Sequence, residues 1–457
     1  MDPVTERLWV PRNESPDFSN LDAFVDQLQL SPLVARILLS RLPSLETARH
    51  FLAARLAELP DPFLLPDMED AVNRLQTALE KGEKIAIHGD YDVDGITGTV
   101  LLFAGLQAMG GSELAYHIPL RLRDGYGLSA KALQDAAANG TKLVVSVDCG
   151  ISAHDEAQLA KEHGLDLIIT DHHQPPDELP HALAVINPQR QDSQFPFKNL
   201  AGVGVAFFLL VALRKRLREA GWFAERTEPD LRHYLDLVAL GTIADLVPLQ
   251  GINRTLTRHG LTLLETGSRV GVRALKQVAG VKEVSCGVVG FQLAPRLNAA
   301  GRMEDAGLGV ELLLEQDMVR ALNTARYLDQ CNRERREIEK ETLQEAERAV
   351  DQLTDEQTHS IVIGGEGWHS GVIGIVASRL VDRYSRPTVL IALDGASGKG
   401  SCRSISGFHL YNGLQLCAEH LVAFGGHEMA AGLSLATEQL PAFAAAFEKH
   451  ARSTLSA

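Results

Sequence analysis

Apolar positions along the chain change period near Lys84. Before it, residues 18–57 read as helical: Ser31-Pro32 opens a helix running to about Ser40, and Ser44-Leu45-Glu46-Thr47 is a capped start for another. From Lys84 onward, short β-branched runs alternate with longer apolar stretches. Lys84-Ile85-Ala86-Ile87, Lys142–Val147 and Leu165–Ile169 predict strands, and Ile96–Met109, Ser152–His163 and Val205–Leu217 predict helices. This alternation predicts a parallel sheet with helices on both faces. A further apolar segment, Leu235–Ile243, is read with the strands. Residues 315–353 carry dense alternating charge without Gly or Pro, which predicts a long exposed helix joining two lobes. Beyond Thr358, Ile361-Val362-Ile363 and Thr388–Ile391 read as strands flanking a helix from Val372 to Tyr384. The expected fold class is therefore α/β. A helical part (1–75) leads into a parallel-sheet metal-binding domain (76–314), a connecting helix (315–354) and a smaller α/β substrate domain (355–457).

Composition narrows the function classes. With 457 residues the chain can bury more than one core. No apolar run approaches the roughly 18 residues of a membrane span, so no membrane role is expected. The start, Met1–Arg7, lacks the basic-then-apolar order of a signal peptide. Five scattered cysteines without a C-x-x-C pair point to a reduced, cytoplasmic protein and away from structural zinc. The net charge of −15 by itself argues against a nucleic-acid partner. That argument weakens if part of the acid sits on metal ions, and a local basic groove can coexist with a negative total.

The acid is not evenly spread. His88-Gly89-Asp90-Tyr91-Asp92-Val93-Asp94-Gly95 puts three carboxylates at alternate positions after a buried strand. Folding them together is costly unless a cation neutralises them, and hard oxygen ligands suit Mg²⁺ or Mn²⁺. Three more motifs follow expected strands: Asp148 in Ser146–Gly150, Asp171-His172-His173, and Asp245 after Ile243-Ala244. Each alone reads as a turn, a cap or a surface pair. Together, at the carboxyl ends where open α/β sheets bind ligands, they match two divalent ions about 3.5–4 Å apart sharing a carboxylate. Arginines and donors for phosphate are expected elsewhere: Pro295–Arg302, Trp368-His369-Ser370-Gly371, Arg379, Ser401–Ser404 and Gly425-Gly426-His427.

These motifs resemble the DHH phosphoesterase superfamily, and more closely its bacterial RecJ single-strand exonucleases. His88–Gly95, Ser146–Gly150, Asp171-His172-His173 and Ala244-Asp245 resemble the four metal motifs. Pro119 with Gly125–Leu128, Leu200–Gly204 and Pro295–Arg302 are also RecJ-like. Trp368–Gly374 and Gly425-Gly426-His427 resemble the DHHA1 domain. The resemblance spans about Trp9 to Gly432. It implies 5′-to-3′ hydrolysis of single-stranded DNA to mononucleotides, in DNA repair and recombination, with two Mn²⁺ or Mg²⁺ ions per site. It implies Asp92, Asp94, Asp148, His172 and Asp245 as metal ligands, with Asp148 as the bridge. His173, Asp90 and His88 would act beside the ions. Arg296, Asn298, Arg302, Ser370, Arg379, Arg403 and His427 would hold the DNA, threaded between the two domains. A single-strand-binding protein and a helicase are the implied partners.

One departure stands out. Such enzymes usually continue past Gly-Gly-His into an OB-fold that grips single strands, and about thirty residues follow His427 here, too few for one. The rival within the superfamily is a phosphodiesterase for short oligonucleotides or cyclic dinucleotides. The rival from another class is a catalytically dead scaffold within a replication or repair assembly; such relatives lose metal ligands, whereas all the acids and histidines are present here.

Overall fold

The structure, a computed structural model, describes residues 18–42, 44–120, 127–303, 305–353 and 358–455. Gly125 and Tyr126 of the RecJ-like motifs lie outside them. The chain divides into two compact units. One comprises the described residues up to His117, Gly127–Ser268 and Glu283–Gly290. The other comprises Arg269–Lys282 and the described residues from Phe291, together with those from Ile118.

The first unit is built on five parallel strands: β1 (Ile85–Gly89), β2 (Leu114–His117), β3 (Leu143–Val147), β4 (Asp166–Thr170) and β5 (Ala184–Ile186), in the order β2-β1-β3-β4-β5. Every residue of β3 is buried, as a strand covered on both faces requires, which is why it reads as a continuous apolar run. The strands β2 and β5 have four and three residues, too few for a period to show. Helix Val93–Ala108 is buried on nearly all sides and packs on helices Gly202–Glu219 and Leu235–Ala244. The last of these corrects the sequence reading: Leu235–Ile243 is a helix, and Asp245 caps its carboxyl end. Its first nine residues are all buried, so no polar face marks the helical period. The amino-terminal helices form as expected. The Ser31 side chain caps Pro32–Leu39, and Ser44 with Thr47 makes a capping box for Leu45–Ala53.

The second unit carries a mixed sheet: β6 (Ile361–Glu366), β7 (Thr388–Asp394), β8 (Ser397–Arg403), β9 (Ala423–Gly426) and β10 (Ala430–Ala436), ordered β6-β7-β8-β10-β9. Only β6 and β7 are parallel, and helix Ile373–Tyr384 connects them. Phe408, Phe443 and Phe447 fill the core on one side, and Val376, Leu380 and Trp368 a second cluster. The 36-residue helix Met318–Leu353 is continuous, but it is not simply exposed. Ala321, Ala325, Leu328, Ala346 and Val350 are buried along one face, as are Arg335 and Glu339. Dense charge hid that stripe. Residues 291–314, expected with the metal domain, also belong to the second unit. Among the described residues no helix is long and apolar enough to cross a membrane.

Candidate metal centre

Three strand ends and one helix end deliver the acidic motifs to one place. Strand β1 stops at Gly89, and the chain turns through Asp90 into helix Val93–Ala108, whose N-cap is Asp92. The Asp92 Oδ1 accepts from the backbone N–H of Asp94 (2.9 Å) and of Gly95 (3.1 Å). Capping thereby fixes one carboxylate oxygen at the positive end of the helix. Asp94 lies in the first turn and is fully buried. Its Oδ2 accepts from the Gly202 N–H (2.6 Å) and its Oδ1 from the Val203 N–H (3.0 Å), the opening amides of helix Gly202–Glu219. Two helix amino termini therefore converge on this acidic turn.

Strand β3 ends at Val147, and Asp148 follows with φ +63°. Aspartate tolerates this left-handed conformation better than most residues. Strand β4 ends at Thr170, before Asp171-His172-His173. Asp171 Oδ1 accepts from the N–H of His172 (2.7 Å), the N–H of His173 (3.0 Å) and His173 Nδ1 (2.7 Å). Its Oδ2 accepts from Ile151 N–H at 2.9 Å. Asp171 thus sets both imidazoles. Their backbone carbonyls are held in turn: Asn187 Nδ2 donates to His173 O (2.8 Å) and Gln189 Nε2 to His172 O. His172 Nε2 then lies 3.0 Å from Asp148 Oδ1, 3.6 Å from Asp245 Oδ2 and 3.9 Å from Asp94 Oδ2.

Two glycines permit this crowding. A Cβ on Gly202 would sit 2.7 Å from Asp148 Oδ1, and one on Gly241 would sit 2.6 Å from Asp94 Oδ1. No larger residue lets the helices Gly202–Glu219 and Leu235–Ala244 approach the carboxylates so closely.

Crowding and burial shift the titration of these groups. Burial, then the charges of Asp245 and Asp92, push Asp94 well above the usual carboxylate range. Burial and the charges of Asp94, Asp92, Asp90 and Asp245 do the same to Asp148. Burial and Asp92 raise Asp245 to about 7. Burial and the neighbouring His173 charge lower His172 to about 4, so its imidazole is neutral at pH 7. His173 goes the other way: burial lowers it, but the Asp171 hydrogen bond and the charges of Asp171, Asp245 and Asp90 prevail and raise it to about 9. Asp171, despite burial, is held below the usual range by His173.

A set of carboxylates that resist ionising, around a neutral imidazole, is the donor set a hard divalent cation requires. Three groups can each surround an ion: Asp90, Asp92 and Asp148; Asp94, His172 and Asp245; and Asp148, His172 and His173. Within each, the donor atoms lie within 4.8 Å of one another, comparable to the roughly 4.2 Å span across an ion with 2.1 Å bonds. The residues present fit divalent metal.

Among the sequence candidates, Asp90, Asp92, Asp94, Asp148, His172, His173 and Asp245 come together. His88 stands apart from all three groups: its Nε2 faces the Gly127 carbonyl at 3.2 Å and its ring packs against His117. The seven phosphate candidates lie in the second unit. Arg296 Nε is tied to Asp329 Oδ1 (2.9 Å) and its Nη1 to Gln292 O (2.6 Å). Arg302 Nη1 donates to Gly371 O at 3.2 Å, and Arg379 pairs with Glu339. Arg403 Nη1 donates to Cys402 O at 2.7 Å. Asn298 and Ser370 are half-buried, and His427 is exposed after β9. Sequence reading did not single out Asp171, Asn187 and Gln189 as supports. Their only signal was polarity immediately after buried strands.

Comparison with known proteins agrees with this geometry. Residues 84–242 match the DHH family, N-terminal domain, and residues 355–453 the DHHA1 domain. The single-stranded-DNA-specific exonuclease RecJ of Bacillus subtilis is 42% identical over 97% of the chain, which spans 55% of that relative. The same-named protein of Dickeya dadantii is 46% identical over 85% of the chain and 70% of its own length. A crystal structure of exonuclease RecJ bound to manganese superposes with TM-score 0.75 at 36% identity, covering 87% of this chain and 96% of that one. RecJ from Thermus thermophilus in complex with Mn²⁺ gives 0.81 at 33%, covering 96% and 61%. Its Mg²⁺ complex gives 0.74 at 31%, covering 96% and 59%. Motif, fold and identity thus coincide over most of the sequence, and the chain belongs to the RecJ family.

Proposed function

We propose that the chain is a metal-dependent exonuclease that hydrolyses single-stranded DNA from the 5′ end, using two Mn²⁺ or Mg²⁺ ions. The observation that carries this reading is the convergence of Asp92, Asp94, Asp148, His172 and Asp245, with Asp90 and His173 beside them, from the DHH motifs onto one largely buried cluster. Ions held there supply Lewis acidity and charge neutralisation for phosphodiester cleavage.

On this proposal each side chain takes a role that its place supports. Asp92, Asp94, Asp148, His172 and Asp245 hold the ions. Asp148 and His172 each belong to two donor groups; of the two, only Asp148 has two carboxylate oxygens to offer, so it is the residue that would serve both ions. Asp90 supports from beside it. His173, protonated at neutral pH and oriented by Asp171, offers positive charge to a phosphate oxygen. His88 orients the strand end through Gly127. Arg302, Arg403, Asn298, Ser370, Arg379 and His427 hold the strand, and Arg296 acts through Asp329. On this reading the first unit binds metal and the second binds substrate. A cytoplasmic site of action, with a single-strand-binding protein and a helicase as partners, belongs to the same proposal.

A polarity assay tests it: 5′- and 3′-labelled single strands of several lengths with Mn²⁺, resolved over time. Immediate release of the 5′ label as mononucleotide is expected, and EDTA should abolish it. Release from the 3′ end refutes the polarity. Preference for di- to pentanucleotides favours a short-oligonucleotide phosphodiesterase instead.

A further inference from the structure

The second unit contains a cavity of about 590 Å³ whose wall is cationic. Arg302, Arg335, Arg336, Lys340 and Arg379 face one carboxylate, Glu339. The long helix supplies four of these side chains at i, i+1, i+4 and i+5, which puts them on neighbouring faces. A chain of net charge −15 has gathered cations here.

The arrangement is built and not merely crowded. Arg335 is 9% exposed. Its Nη1 donates to Glu339 Oε2 (2.7 Å) and its Nη2 to Asn332 Oδ1 (3.2 Å). Its Nε, also buried, has no hydrogen-bond acceptor among the described residues, an arrangement that costs stability unless something supplies an acceptor. Glu339, 3% exposed, also pairs with Arg379 and so fixes two guanidinium groups at once. Arg336 and Lys340 are exposed like charges at i, i+4, a pairing that weakens a helix. Burial, with the charges of Arg336 and Arg379, lowers the pKa of Arg335.

At the rim lies Phe291, 78% exposed and the most exposed aromatic among the described residues. It sits in the π-helical turn Val289–Leu293, a geometry frequent at functional sites. Cations beside an open aromatic face make a surface for single-stranded nucleic acid.

We propose that this cavity is a nucleotide subsite: one backbone phosphate of a single strand is taken by Arg335, Arg336, Lys340 and Arg379, and the adjoining base stacks on Phe291. It rests on the single-strand reading above and adds Phe291, Arg335, Arg336 and Lys340 to the residues that hold the strand.

The test measures binding apart from hydrolysis. The full chain in EDTA is titrated into 3′-fluorescein dT12 and followed by anisotropy at several salt concentrations. The variants are Phe291→Ala, Phe291→Trp and the double variant Arg336→Ala/Lys340→Ala, all at exposed positions, with folding checked by circular dichroism. Phe291→Ala and the double variant should each weaken binding about tenfold, and Phe291→Trp should retain it. The double variant should also flatten the slope of log affinity against log salt by about 0.7, the value for one phosphate on a single strand. An abasic 12-mer should not distinguish Phe291→Ala from wild type. Variants that bind dT12 within twofold of wild type overturn the subsite, as does a wild type that does not bind. If the variants lose only binding of free dTMP, the cavity is a product site and the proposal fails. A wild type that binds dT12 but does not cleave it with Mn²⁺ refutes the exonuclease reading and leaves the subsite standing.

Discussion

Two aspartates that stand at the ends of adjacent strands should respond to the same substitution with opposite sign. Asp171 accepts four hydrogen bonds, from His172 N–H, His173 N–H, His173 Nδ1 and Ile151 N–H, between 2.7 and 3.0 Å. In Asp171→Asn, whichever oxygen becomes NH₂ must face a backbone N–H. One charge-assisted bond is lost and a buried donor is stranded, costing about 3 kcal/mol. That lowers Tm by roughly 6 °C. The ion pair that holds His173 near 9 is lost too, so its pKa should fall. Asp148→Asn removes a carboxyl whose ionisation burial and the charges of Asp94, Asp92, Asp90 and Asp245 all oppose, so the metal-free protein should gain stability while Mn²⁺-dependent hydrolysis disappears. The assay pairs thermal melts in EDTA and in Mn²⁺ with an NMR titration of the His173 Cε1–H. Equal destabilisation by both substitutions in EDTA would refute the division between a supporting and a metal-binding carboxylate.

Further predictions concern pH, packing and substrate. Between pH 6.5 and 9 the metal-free protein should lose stability. The unfolded chain has released the Asp245 proton and gives up that of His173 around pH 6.5, whereas the folded chain keeps them to about 7 and 9. Melts from pH 6.5 to 9 in EDTA should show this decline and Mn²⁺ should reverse it; a flat profile contradicts the electrostatics. Gly202→Ala brings a Cβ within 2.7 Å of Asp148 Oδ1 and should cut Mn²⁺ affinity at least tenfold by calorimetry, with strand binding in EDTA unchanged. Arg296→Ala should lower stability by about 1–3 kcal/mol through loss of its bonds to Asp329, which keeps Arg333 at 3.1 Å, and to Gln292 O, more than it weakens single-strand binding. The reverse balance would return Arg296 to the DNA.

Much of the site was legible because its chemistry is local in sequence. Asp90, Asp92 and Asp94 share one turn, Asp171-His172-His173 another, and the β-branched runs before them mark strands whose ends must lie together in a parallel sheet. The reading failed where burial removed the period. Leu235–Ala244 has no polar face, so helix and strand look alike, and Asp245 was placed after the wrong element although it does lie with Asp94 and His172. The long helix failed in the other direction, its surface charge masking a stripe of alanines and a buried Arg335–Glu339 pair.

The sequence by itself determined the α/β class, the acidic and histidine motifs, and the need for a cation, because strand alternation and like-charge crowding are properties of neighbouring residues. Only the tertiary structure decided which donors share a group, that Asp171 is a support, and that Gly202 and Gly241 must be small. It alone shows five cations gathered around one cavity in a chain of negative total charge. These depend on approach between segments tens to hundreds of residues apart, and packing, not local pattern, sets those distances.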